Sequence, residues 1–305
     1  MEKSPLNINL ASLQLPNPTM LASGIMGYSA ESFTQIAKGG AGAIVTKSVS
    51  TTPRTGYTNP IVVQTNTGLL NAVGLPNPGI DSFTQEIKYT KTLIHIPLIV
   101  SIFGYTAKDY STTAKKATEA GADAIELNVS CPHVKQTGAE IGQNPKLLTE
   151  IIQQVRTTTK KPLIVKLSPN VTNITTLAQT AVDAGADALT AINTLKALAI
   201  DSETQLPILS NIKGGLSGPA IKPVALRCVY DIAETIKIPI IGCGGISNWQ
   251  DAIEFFLAGA TAIQIGTAVA NDMNVFQTIT KGVDTYLRQK HYRSIEEIVG
   301  LAHRK

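Results

Sequence analysis

The feature that most constrains this chain is a weak internal repeat. The segments "KGGAGAIVT" (38–46), "EAGADAIEL" (119–127), "DAGADALTA" (183–191) and "LAGATAIQI" (257–265) share one pattern. A helix ends, Gly stops it, Ala and a small polar residue follow, and an apolar run begins. Gly takes the left-handed conformation at a helix C-terminus at little cost. A second pattern is interleaved with the first: "IPLIVSI" (96–102), "KPLIVKL" (161–167) and "IPIIGCG" (238–244). Here Pro ends the preceding helix and a short β-rich run follows. The opening run "PTMLAS" (18–23) brings the count to eight.

Each run is nearly all apolar, as parallel strands covered on both faces are. Between them lie segments of helical period, among them "AKDYSTTAKKATEA", "NPKLLTEIIQQVRTTT" and "SNWQDAIEFFLA". Ser247 or Asn248 is positioned to cap the last of these. Eight strands alternating with helices predict a (β/α)8 TIM barrel, an α/β fold, over the single domain 1–305. A doubly wound open sheet is the competing architecture, but it rarely needs eight evenly spaced units. Two stretches depart from the repeat. Residues 6–15, "LNINLASLQL", alternate apolar and polar and predict a short N-terminal β-hairpin under the barrel. Residues 49–80 form a long insertion after the second strand; connections of that length are usually functional or disordered.

Bulk properties exclude several classes. The chain has 305 residues, 43% hydrophobic and 16% charged, with a net charge of +4. No apolar run reaches the ~18 residues needed to span a bilayer. The N-terminal residues have no continuous apolar core after the basic residue, so the expected location is cytoplasmic. The basic residues fall in pairs on helical segments, which argues against nucleic acid or anionic lipid as partner. Three scattered cysteines (Cys131, Cys228, Cys243) make neither a disulfide framework nor a metal site.

In a barrel of this kind the active site lies at the C-terminal ends of the strands. Those ends carry Ser23 and Gly24; Thr46, Lys47 and Ser48; Ser101; Asn128 and then Cys131; Lys166 and Ser168; Asn193 and Thr194; Gly244 and Gly245; Gly266 and Thr267. Two lysines closing apolar runs are the strongest single signal, because buried Lys is rare unless paired or used. The bland reading of Lys47 and Lys166 is a snorkelling surface side chain. "GCGGIS" and "IGTA" end the last two strands, where such barrels commonly hold a phosphate; tight turns alone would also use these glycines. "KGGLSGP" (213–219), taken as loop, adds a flexible approach to the same corner. Asn71, Asn128 and Asn193 are either turn and cap residues or a convergent set of donors and acceptors for an amide-rich planar ligand. Cys228 and Cys243 are taken as structural, and His95, His291 and His303 as surface groups.

Taken together, "ELNVSCPHVK", "TKSVS", "NAVGLPNPG", "VKLSPN", "INT", "KGGLSGPAIKP", "GCGGI" and "IGTA" resemble the class 1 dihydroorotate dehydrogenases, in order and spacing over nearly the whole chain. The look is closest to the class 1B catalytic subunit. The resemblance implies an FMN-dependent barrel that oxidises dihydroorotate to orotate in pyrimidine biosynthesis. It implies Cys131 as the base that takes the carbon-5 proton while a hydride leaves carbon 6 for the flavin. Ser23, Lys47, Ser48, Asn128, Lys166, Ile192, Gly218, Gly244, Gly245, Gly266 and Thr267 would contact FMN. Lys47, Asn71, Ala72, Val73, Gly74, Leu75, Asn128, Asn193 and Thr194 would hold the substrate. A homodimer of this chain and an electron-transfer subunit carrying FAD and a 2Fe-2S cluster, together a heterotetramer with NAD as final acceptor, are further implications; a small soluble acceptor such as fumarate, reoxidising the flavin at the same site, is the alternative exit for the electrons. His133 and Ser101 depart from the family pattern, which commonly has Asn at the first and often at the second. The alternatives are a dihydropyrimidine dehydrogenase-like flavoenzyme, whose substrates lack the carboxylate that Lys47 would meet, and a non-redox aldolase or isomerase using Lys166 as a Schiff base.

Overall fold

A computed structural model of the chain describes residues 4–129 and 142–304. The expected alternation at the N-terminus forms a hairpin, β1 (Ile8–Leu10) and β2 (Leu13–Leu15), paired antiparallel. Its apolar positions are buried and its polar ones, Asn9 and Gln14, exposed, as a period of two requires. The hairpin leads into the N-terminal end of the barrel.

The barrel begins with β3 (Thr19–Leu21) and β4 (Ala43–Val45). The long insertion then supplies a hairpin, β5 (Val62–Thr65) and β6 (Gly68–Asn71). The barrel resumes with β7 (Leu98–Ile102), β8 (Ala124–Asn128), β9 (Leu163–Leu167) and β10 (Ala188–Ala191). A second excursion holds β11 (Leu195–Leu198), β12 (Ile200–Asp201), β13 (Leu206–Pro207) and β14 (Lys213–Ser217). β15 (Ile240–Cys243) and β16 (Ala262–Ile265) complete the barrel, which closes where Ile265 pairs with Leu21. All eight barrel strands are those of the repeat, in parallel register.

All eight barrel strands are buried at every position except the last residue of β15, and β7 and β9 bury even a Ser and a Lys. Five of the helices start on side-chain caps, from Ser29, Thr106, Asn144, Asn173 and Asn248. Thr106 and Asp109 form a capping box at helix Ala107–Glu119, and Asn248 with Asp251 does the same at Trp249–Leu257. The cap is thus Asn248, with Ser247 one position outside. Gly121, Gly185 and Gly259 take positive φ just past helix ends (108°, 107° and 113°), as the repeat predicts.

"KGGLSGP" is not a loop: Lys213–Ser217 is β14, inside an antiparallel sheet of order β11-β14-β6-β5 that joins the two excursions. Its glycines hide a strand because two neighbours press on it. A Cβ on Gly214 would come 2.6 Å from Leu209 Cδ1 and 2.7 Å from the Asn71 carbonyl oxygen. The insertion after β4 is correspondingly ordered, with Leu70 and Ala72 in a small apolar cluster of their own with Leu209.

Candidate active site

A cavity of about 460 Å³ opens at the C-terminal ends of the barrel strands, roofed by the excursion sheet. Every residue expected to contact a flavin lines it: Ser23, Lys47, Ser48, Asn128, Lys166, Ile192, Gly218, Gly244, Gly245, Gly266 and Thr267. So do Asn71, Val73, Gly74, Leu75, Asn193 and Thr194 from the expected substrate set. Ala72 does not. It is fully buried among Leu70 and Leu209, because alternation along the chain after β6 turns it away from its neighbours. Cys131 and His133 lie outside the described residues.

Three asparagines are brought together through sheet contacts rather than turns. Asn128 ends β8 opposite Lys166 on β9. Its Nδ2 donates to Ser48 Oγ at 2.9 Å, and its Oδ1 accepts from Asn193 Nδ2 at 3.3 Å. Ser48 Oγ is in turn 2.9 Å from Ser101 Oγ. Ser101 is fully buried behind Ser48 and touches the cavity only through it. Asn71 Nδ2 donates to the Gly215 carbonyl at 3.3 Å, which ties β6 to β14 at the roof.

The two lysines differ. Lys166 is 3% exposed and donates to Gln264 Oε1 at 2.8 Å and to Ser23 Oγ at 3.3 Å, so the snorkelling reading fails for it. Lys47 is half-buried, with its ammonium 5.5 Å from the centre of the Tyr28 ring. Burial draws its pKa below the ordinary lysine value. Tyr28 is itself pinned by its hydroxyl, which donates to the Pro76 carbonyl, and burial pushes that hydroxyl above the ordinary tyrosine range.

The corner made by the last two strands has the shape of a phosphate cradle. Gly244 and Gly245 have φ of 131° and 79°. A Cβ on Gly244 would stand 2.8 Å from Ala225 Cβ, and one on Gly245 2.9 Å from the backbone N of Lys222. Only glycine lets this loop lie against the start of helix Lys222–Thr235 and leave the cavity wall bare. Thr267, at the start of the 3-10 turn Thr267–Ala270, donates from Oγ1 to Ser217 Oγ at 2.8 Å. The loop after Gly245 is held from behind: Asp251 accepts from Ser247 N, Ser247 Oγ and Asn248 N at 2.9, 2.9 and 3.2 Å, and from Lys222 Nζ at 2.7 Å.

Some residues escaped the sequence reading. Gln264 lines the cavity from the middle of β16, and Cys243 from the end of β15, so Cys243 is a cavity-wall residue and not merely structural. Burial pushes its thiol pKa up, against the smaller opposing effect of Lys166. Glu126 is fully buried beneath Asn128. A polar residue inside an apolar run buried on both faces is the signal that could have found Glu126 and Gln264. His303 is also more than a surface group: it stacks on Tyr230 at 3.9 Å and its Nε2 is 3.0 Å from the Ala258 carbonyl.

A glycine corner at strands seven and eight, two lysines and a cluster of amide side chains at one mouth make the kind of site in which closed barrels commonly take a phosphate-bearing ligand. The donor set fits a flavin with a terminal phosphate: the cradle for the phosphate, Lys166 and Asn128 for the polar ring edge. Comparison with known proteins makes this specific. The family model for dihydroorotate dehydrogenase matches residues 5–287. The chain is 52% identical over 303 residues to a protein of Thermococcus kodakarensis named dihydroorotate dehydrogenase B (NAD(+)), catalytic subunit, covering 99% of each chain. Proteins of the same name from Pyrococcus abyssi and Methanocella arvoryzae are 50% and 48% identical, with 97% and 98% of this chain and 99% and 98% of theirs covered. A solved structure of the enzyme from Eimeria tenella in complex with ferulenol superposes with a TM-score of 0.86 over all of this chain and 91% of that one, at 22% identity, and so agrees in fold. The chain belongs to the dihydroorotate dehydrogenase family, and within it to class 1B. The family is flavin-dependent.

Proposed function

We propose that this chain is the FMN-bearing catalytic subunit that oxidises dihydroorotate to orotate in pyrimidine biosynthesis. The observation that carries the reading is the convergence of Lys47, Asn71, Asn128, Asn193 and Lys166 on one cavity beside the Gly244–Gly245 cradle. When bound, FMN supplies the acceptor for the hydride. The chain's own residues do the rest. Gly244, Gly245, Gly266 and Thr267 hold the phosphate, with Gly218 and Ile192 against the flavin's body. Ser23, Ser48 and Lys166 would hold the ring, with the Lys166 ammonium placed to offset negative charge on it. A fixed cation in a dry site acts far more strongly than one in water.

Lys47 pairs with the substrate carboxylate. Burial draws its pKa down, and an arriving carboxylate opposes that shift by favouring the charged form. Asn71, Asn128, Asn193 and Thr194 read the amide edge of the pyrimidine ring, with Val73, Gly74 and Leu75 beside them. A buried amide left unpaired by a wrong substrate costs about 1–3 kcal/mol, which is a source of specificity. Cys131 takes the carbon-5 proton. A free thiol has a pKa of about 8.5, so the transfer needs a substrate-coupled step or local activation. The test is anaerobic mixing with dihydroorotate: Cys131→Ser slows flavin bleaching strongly near neutral pH, and bleaching as fast as wild type would remove Cys131 from the role.

Electrons leave through another protein. The relatives are named as catalytic subunits of an NAD(+)-linked enzyme, and this chain has no G-x-G-x-x-G opening a helix after a strand to bind NAD itself. The reading is a partner subunit with FAD and a 2Fe-2S cluster, joined to a homodimer of this chain in a heterotetramer. Among the described residues no helix is long and apolar enough to cross a membrane. Co-purification with the native acceptor protein tests this step: a flavin and iron–sulfur subunit should travel with the chain.

A further inference from the structure

Glu126 has no part in the mechanism above, yet it sits in the barrel beneath the cavity. It is fully buried on β8, two positions before Asn128, so both point to the barrel interior. Strands four, six and eight contribute Glu126, Thr190 and Gln264, as alternate strands do within one layer of such a barrel. Glu126 Oε2 accepts from Gln264 Nε2 at 2.6 Å and from Thr190 Oγ1 at 3.2 Å. Its Oε1 has no hydrogen-bond partner among the described residues and lies 3.9 Å from Lys166 Nζ. Lys166 Nζ donates to the other end of the same Gln264 amide. An ammonium only donates and a carboxylate only accepts, so this amide can bridge them in one orientation alone, oxygen to Lys166 and nitrogen to Glu126. Lys166 and Gln264 line the cavity and Glu126 does not. Glu126 therefore reaches the cavity only through them.

We propose that Glu126 is a positioning residue and the buried counter-charge of Lys166. It fixes where the ammonium stands and offsets part of its field at the flavin ring, and so sets how readily the bound flavin accepts an electron pair. The inference rests on the reading that the cavity holds a flavin next to Lys166. With the carboxylate present, Lys166 is already compensated before reduction. Without it, the charge that reduction adds to the flavin becomes the partner the ammonium lacks, and the reduced form is favoured.

The experiment compares flavin-loaded wild type with Glu126→Gln, Glu126→Asp and Lys166→Met, each equilibrated at pH 7 with a redox dye of known potential and read by absorbance. Glu126→Gln is expected to shift the equilibrium at least tenfold toward reduced flavin, which is about 30 mV upward for a two-electron couple. Glu126→Asp keeps the charge and is expected to stay within about twofold of wild type. Lys166→Met is expected to shift it the other way. If Glu126 only filled space, Asp, which leaves the larger gap, would perturb more than Gln; that ranking, or Glu126→Gln at the wild-type potential, overturns the inference. Should Glu126→Gln not fold, the infrared difference spectrum of wild type on reduction replaces it: a displaced glutamate carboxylate band supports the inference, and a flat carboxylate region overturns it. A wild-type chain that binds no flavin overturns the reading of the cavity itself. A flavin whose potential answers to Lys166→Met but not to Glu126→Gln overturns this inference alone.

Discussion

Replacing Asp251 with Asn tests how the phosphate corner is held. The carboxylate is almost fully buried, with 8% of its side chain exposed, and accepts from two donors on Ser247, from Asn248 N and from Lys222 Nζ. An Asn keeps one accepting oxygen and turns a donor toward groups that also donate. Each hydrogen bond to a charged group contributes about 1.5–3 kcal/mol, and an acceptor lost beneath a buried donor costs about as much. The Lys222 share is smaller, because Lys222 is partly exposed and keeps Glu254 at 2.9 Å. The expected net loss is about 2–3 kcal/mol, a fall in melting temperature of roughly 4–10 °C for a barrel of this size. The pH dependence has a definite sign. Burial by itself would raise the Asp251 pKa, but the hydrogen bonds from Lys222 and Ser247 outweigh it and hold it below the ordinary carboxylate value. Its contribution is therefore complete above the unfolded value of about 3.9 and is lost as pH falls through the lower folded value. Lys222 shifts the other way: burial opposes, but Asp251 and Glu254 raise its pKa. Its share is complete below the unfolded value of about 10.4 and fades as pH rises through the folded one. Urea unfolding of wild type and Asp251→Asn at several pH values measures the gap. It should be flat between about pH 5 and 9 and close below about pH 4. A gap as wide at pH 3 as at pH 7, or no gap at pH 7, refutes the reasoning.

Three further outcomes are expected. Gly245→Ala forces a side chain into φ 79° and to within 2.9 Å of the Lys222 backbone N, so flavin should wash out on gel filtration while circular dichroism stays near wild type. Lys47→Met should raise KM for dihydroorotate about tenfold or more in steady-state assays, the cost of about 1.4 kcal/mol or more of lost charge pairing. Asn128→Ala removes the contact shared by Ser48 and Asn193 and should lower kcat/KM by about tenfold to a hundredfold, seen in steady-state assays, from the ~1–3 kcal/mol of an unpaired buried group.

The barrel was legible because its eight strands are short, apolar and framed by Gly or Pro, signals that survive without any tertiary information. The excursion sheet was not. β14 reads "KGGLS", and glycine there answers to the press of Leu209 and Asn71 across the sheet, a contact far away in sequence. The cavity wall was legible where residues sit at strand ends, as Lys47, Asn128 and Lys166 do. Glu126 and Gln264 lie within apolar runs, where periodicity counts them as single interruptions; only the closed barrel shows that both are buried and that one amide joins them to Lys166. Ala72 fails for the reverse reason: it stands in a string whose neighbours face the cavity, while its own methyl faces the Leu70 and Leu209 cluster.

The most direct measurement of the central claim is anaerobic stopped-flow mixing of the purified, flavin-loaded chain with dihydroorotate. The account predicts bleaching of the bound flavin with orotate formed in equal amount, and no bleaching by dihydrouracil, which lacks the carboxylate for Lys47. A chain that carries no flavin, or whose flavin dihydrouracil reduces while dihydroorotate leaves it oxidised, would contradict it.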